Sequence, residues 1–176
     1  GGEALLVIKT GGHPMKALVV FADPATGALR LACGCRDEKV RIFDPLAGGE
    51  ALVVIDVGST VHALAVFMDP ATGEMRLACG TKPGSWRNEN GDVRIFDPVA
   101  GGEALLVLDG GGSPLVVFTD PATGGLRLAS GSTTRANQSL RAHHPDYVRP
   151  RDFETRSVRV WNLAAGGALL FVLQGH

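Results

Sequence analysis

The hexapeptide Val-Arg-Ile-Phe-Asp-Pro stands at residues 40–45 and again, unchanged, at 93–98. A drifted copy, Val-Arg-Val-Trp-Asn-Leu, stands at 158–163. An apolar strand and its turn, written three times in 176 residues, constrains the fold more than any other feature of the chain. The flanking sequence repeats with it. GGEALLV opens at Gly1 and Gly101, GGEALVV at Gly48 and GGALLFV at Gly166. DPATG begins at Asp23, Asp69 and Asp120, and LRLACG (29–34), MRLACG (75–80) or LRLASG (126–131) follows in turn. Repeats start at about 1, 48 and 101, and the last stretch runs to 166, giving lengths of 47, 53 and 65. Periods near 40–50 residues belong to solenoids and propellers.

Each repeat holds four short candidate strands, in the first repeat residues 4–8, 16–21, 29–33 and 40–43. They are rich in Val, Leu, Ile and Ala, and turn residues separate them. In DPATG, Pro presets φ and Gly takes the left-handed position. The turn lacks the Lys and the strand–loop–helix setting of a phosphate loop. Stretches such as Ala17-Leu18-Val19-Val20-Phe21 are apolar at consecutive positions, so both faces of the sheet need cover. No helical pattern is present to supply it. Sheets must cover sheets, which describes an all-β chain of stacked four-stranded blades.

Composition fits a single globular domain over 1–176, with 45% apolar and 20% charged residues. A net charge of −1 supplies no field to recruit nucleic acid or an anionic membrane. Cys33, Cys35 and Cys79 make no zinc pattern and read as small buried hydrophobes in a reducing compartment. Neither a signal sequence nor a membrane span is visible, so the expected location is cytoplasmic.

The repeats resemble the WD-repeat (WD40) β-propeller family. Gly12-His13 leads into the strand at 17–21; Leu31-Ala32-Cys33-Gly34-Cys35-Arg36-Asp37 stands where that family has LASGSxD; Val40-Arg41-Ile42-Phe43-Asp44 stands where it has VxIWD. The resemblance implies bracing hydrogen bonds among His, Ser, Asp and Trp, here assigned to His13, Asp37 and Trp161. Phe43 and Phe96 replace Trp in the other two copies and have no N–H to donate. Ser59 and Ser113 stand at the His position in the second and third copies. The resemblance also implies that each GG strand is the outer strand of the preceding blade. The chain then holds three four-stranded antiparallel blades, ends with an outer strand at 166–174, and leaves residues 3–9 as a surplus outer strand.

Three blades do not close a ring, since propellers use 4–8. A bare blade face of roughly 500–800 Å² represents on the order of 10–20 kcal/mol at about 25 cal/mol per Å². The expectation is a partial propeller whose ring is closed by a second copy, a six-blade homodimer, or by further sequence. Residues 3–9 of one copy and 168–173 of the other then compete for one blade edge.

The copies differ most between their third and fourth strands, with segments of 5 (35–39), 12 (81–92) and 26 residues (132–157). Function commonly sits in such rim loops. Candidate partner-binding residues are Trp86 and Arg87 in the second segment, and Arg141, His143, His144, Tyr147, Arg149 and Arg151 in the third. His143, His144 and Asp146 lack a further ligand at metal-site spacing, so no metal or other cofactor is assigned. No motif of an enzyme nucleophile or metalloprotease is present. The sequence reads as a noncatalytic interaction scaffold binding protein or peptide through rim loops. The alternatives are a propeller hydrolase or metal-dependent enzyme using 132–157, or a repeat segment whose only role is assembly.

Overall fold

The computed structural model describes residues 2–82, 91–135 and 154–174. Among the described residues, twelve strands form three four-stranded antiparallel sheets, each built from consecutive strands. Blade 1 holds β1 (Met15–Ala22), β2 (Leu29–Cys35), β3 (Lys39–Phe43) and β4 (Val53–Asp56). Blade 2 holds β5 (Val61–Met68), β6 (Met75–Thr81), β7 (Asp92–Asp97) and β8 (Gly101–Asp109). Blade 3 holds β9 (Leu115–Thr119), β10 (Leu126–Arg135), β11 (Glu154–Asn162) and β12 (Ala168–Gln174). The fold is all-β and propeller-like. Among the described residues the only helical element is a 3-10 turn over Leu163–Ala165, and no helix is long and apolar enough to cross a membrane.

The turns explain why the sheets repeat so closely. In each DPATG the Asp does more than precede Pro: Asp23, Asp69 and Asp120 each accept the N–H of the Ala two residues on, at 2.9, 2.9 and 3.0 Å. The closing glycines Gly27, Gly73 and Gly124 sit at φ of 69°, 69° and 67°, a left-handed conformation that costs glycine little. After the fourth-strand motif, Asp44 and Asp97 accept two backbone N–H groups each, fixing the step to the outer strand. Asn162 holds this place in blade 3. Its side-chain oxygen instead accepts from Arg127 at 2.7 Å, and the 3-10 turn follows.

The GG segments that open the second and third repeats, and the one at 166, supply the outer strands β4, β8 and β12, paired to β3, β7 and β11. Residues 2–14 carry the same sequence pattern but form no strand, although the repeat pattern predicts one over 4–8. They pair with no sheet, and Leu5 is fully exposed. A second difference lies in blade 3. Residues predicted as insertion continue the β10–β11 ladder out to the pair Arg135 and Glu154.

Blades stack face to face, β1 on β5 and β5 on β9 near the centre, with β4 on β8 further out. Between blades 1 and 2 lies one core, with Phe21, Ile42 and Ile55 meeting Leu77, Cys79 and Phe96. Between blades 2 and 3 lies another, with Phe67, Ile95 and Leu108 meeting Leu128 and Trp161. Close approach needs glycine at the LACG position: a Cβ on Gly80 would lie 1.9 Å from the carbonyl oxygen of Gly112 in the loop after β8.

Candidate functional site

Arg41, Arg94 and Arg159 occupy one position in the three copies of VRIF/VRVW. An arginine on a strand so deep in a stack needs partners for its donors. Arg94 finds two kinds. Nε and Nη2 donate to Oδ2 of Asp92 at 3.0 and 2.9 Å, and Nη1 donates across the interface to the carbonyl of Val57, in the outer-strand segment of blade 1, at 2.5 Å. Thr81 completes the cluster, its hydroxyl donating to Oδ1 of Asp92 at 2.6 Å while accepting the Asp92 N–H at 3.0 Å. Arg159 repeats the cross-blade bond, to the carbonyl of Asp109 at 3.3 Å. In blade 1 the carboxylate comes from Asp37, four residues before its arginine, and accepts from Nη2 of Arg41 at 2.6 Å. The bond from Arg41, helped little by nearby His13, holds the Asp37 carboxyl below the ordinary carboxylate range.

The bracing role assigned to His13 has a different occupant. His13 is exposed in the turn before β1, and the hydrogen-bond partner of Asp37 is Arg41. Trp161 is buried against Leu108 and Leu128 in the core between blades 2 and 3. Trp86, Arg87, Arg141, His143, His144, Tyr147, Arg149 and Arg151 lie outside the described residues, as does Asp146. Among the described residues, no three His, Cys, Asp or Glu side chains stand together as metal ligands would.

A shallow cleft of about 380 Å³ lies where the DPATG turns of blades 1 and 2 meet, lined by Asp23, Glu74, Met75 and Asp97. Its carboxylates are already engaged: Asp23 pairs with Arg30 at 3.3 Å, while Arg76 serves Asp69, Glu74 and Asp97.

The larger features are the two end faces of the stack. On blade 3, Val116, Phe118, Val158, Phe171 and Leu173 are between 40% and 57% exposed. Their repeat counterparts in blade 1 are Val19, Phe21, Val40, Val53 and Ile55, which pack into the first core. On blade 1, Leu18 and Val20 are 52% and 53% exposed, although their counterparts in blade 2, Leu64 and Val66, pack against blade 1. Phe43 and Cys33 share this open face through the pairs Leu31–Phe43 and Leu18–Cys33, yet both are buried. Residues 3–12 run along this side of the blade: Leu6 lies 3.1 Å from the Cβ position of Gly48, and Arg41 3.6 Å from that of Gly11.

All three cysteines are buried and unbridged. Burial pushes the Cys33 thiol up to about 11 and raises Cys35 and Cys79 as well. A disulfide exchange reagent at neutral pH should therefore titrate almost no thiol in the native protein and all three in denaturant. Rapid labelling of one thiol in the native state would contradict this packing.

Acid should destabilise the fold in two stages. Burial, with Lys82 and Lys16 nearby, lowers the affinity of His62 for a proton. The unfolded chain protonates that imidazole at about 6.5, so stability begins to fall below this pH. Asp23, Asp37, Asp44 and Asp120 are all lowered by hydrogen bonds to their carboxylates. Their contribution is complete above about 3.9 and is lost as pH drops through their folded values. Urea midpoints measured against pH should show both stages, and His62→Gln should remove only the first.

No family model matches the chain, and no curated protein matches it. Among solved structures, the computationally designed Ika4 protein superposes with a TM-score of 0.58 at 18% identity, over 100% of this chain and 82% of that one. The β-propeller domain of Myceliophteria thermophila Cps50 (Swd1) gives a TM-score of 0.49 at 12% identity, over 93% of this chain and 44% of that one. The chain thus spans under half the length of that domain, and at such identities the likeness concerns the fold alone.

Proposed function

We propose that the chain is a noncatalytic, WD-repeat-like interaction scaffold that binds other proteins or peptides and associates with itself by blade stacking. A propeller-like fold suits protein interaction in general, although folds of this kind host many activities. The observation that carries the reading is the pair of apolar end faces. They present in the open the residue types that the same repeats bury between blades 1 and 2 and between blades 2 and 3. Exposed faces of this kind mark interaction sites. Two copies joined at both faces make six blades, within the range that closes. The rim insertions at 81–92 and 132–157 are the proposed contacts for a protein or peptide partner, the second of them carried on the long β10–β11 ladder. Light scattering on the purified chain tests the stacking part: a mass near twice 18.4 kDa is expected, and a lone 18.4 kDa particle at every concentration would refute it.

A further inference from the structure

We infer that residues 3–12 are an internal stand-in for β12 of a second copy, holding the place on blade 1 that the partner's outer strand takes when two chains close the ring. The inference rests on the self-association proposed above and adds what competes with it.

Leu6, Val53 and Leu106 hold the same place in the three GGEAL segments. Val53 lies 3.2 Å from the Cβ position of Gly101, the first glycine of its pair in blade 2; in blade 3 Leu108 and, at 2.8 Å, Leu106 meet the second glycine, Gly167. These are the contacts an outer strand makes on the glycine turn of the next blade. Leu6 repeats the Val53 contact on Gly48, at 3.1 Å, from a segment that belongs to no sheet. The guanidinium groups repeat the pattern. Arg94 lies against Gly58 and Arg159 against Gly110, each at the end of the preceding outer strand, and Arg41 lies against Gly11. The N-terminal segment therefore follows the path of an outer strand without the blade that normally carries one.

The imitation is incomplete at two points. In blades 2 and 3 the arginine Nη1 donates to a carbonyl of the preceding outer strand, Val57 or Asp109. Nη1 of Arg41 is buried with no acceptor. A buried donor left without an acceptor is unfavourable. The inner half of the same face also stays open at Leu18 and Val20. The trailing face of blade 3 remedies both. Phe171 stands at the repeat position of Leu6, on a strand hydrogen-bonded into a complete sheet, so its backbone arrives in an outer-strand register. Val116 and Phe118 match Val19 and Phe21, which already cover Leu64 and Val66 of blade 2. A second copy is thus the occupant whose complementary surface is present in the molecule itself. Two such junctions, at roughly 500–800 Å² per face, exceed the total of about 1,200–2,000 Å² typical of a stable complex.

The test uses the full chain in sedimentation and light scattering over a dilution series. Leu6→Asp with Ile8→Asp, the latter at the repeat position of Ile55 and Leu108, frees the face and should tighten the dimer about tenfold. Phe171→Asp on one face, or Val20→Asp on the other, should each weaken the homodimer at least ~100-fold, with circular dichroism and melting confirming the fold. Mixing those two variants should restore a heterodimer through their one intact junction. Trypsin should cut after Lys9 faster in the dimer than in monomeric Phe171→Asp, because the segment is released. Monomers for the wild type and for Leu6→Asp/Ile8→Asp would overturn both the self-association and the stand-in. A wild-type dimer whose affinity and Lys9 cleavage ignore these changes would overturn the stand-in alone. Failure of the mixed variants to pair, or a mass of three or more chains, would overturn the two-chain ring.

Discussion

Phe96→Ala should lower the free energy of unfolding by about 3–5 kcal/mol, measured by urea denaturation. The ring is 1% exposed and sits in the core between blades 1 and 2, among residues of both sheets. Truncation loses the transfer energy of the ring and leaves a cavity that two rigid sheets cannot collapse into. Phe171→Ala is the matched control. Phe171 is half exposed on the trailing face, so its loss should cost the monomer under ~1 kcal/mol. Equal losses at the two positions would mean that the blades do not stack as described.

Asp92→Ala should be nearly as costly, at about 2–4 kcal/mol. Its carboxylate accepts the Thr81 hydroxyl and two donors of Arg94, and that arginine also ties blade 2 to the carbonyl of Val57. Removal takes the side-chain acceptor from a buried hydroxyl, which keeps only a 3.2 Å contact to the main-chain oxygen of residue 92, and from a half-buried guanidinium, which keeps only the carbonyl of Val57. Asp92→Asn keeps an oxygen for Thr81 but loses the charge, and should recover part of the stability. A loss below ~0.5 kcal/mol for the alanine variant would show that the cluster is not a brace.

The repeat pattern made the blades legible because turn chemistry and continuous apolarity are local properties. DPATG and VRIFDP each specify their turn from within, so strands near 16–21, 29–33 and 40–43 could be read directly. Residues 4–8 read just as well as a strand and are not one, because a strand requires a neighbour and the pattern says nothing of neighbours. The braces were harder. Asp37 was visible through its family-like position, but its true partner is Arg41, which an apolar strand pattern treats as a surface residue. Asp92 is harder to see because it closes the 12-residue segment 81–92, whose length obscures the spacing that marks Asp37. Its signal was present nonetheless, as an acidic residue two places before the strand arginine. The cross-blade bonds to Val57 and Asp109 depend on stacking, which no single repeat records.

The glycine-turn contacts made by Leu6, Val53 and Leu106 carry a further consequence. A blade that greets every neighbour with an aliphatic side chain from one stretch of its outer segment cannot tell which neighbour has arrived. The number of blades is then counted by how many are tethered on one polypeptide and how many polypeptides meet, rather than by any one junction. An in-frame duplication of residues 48–100 should therefore lengthen the stack by one unit without demanding a compensating change at any existing position.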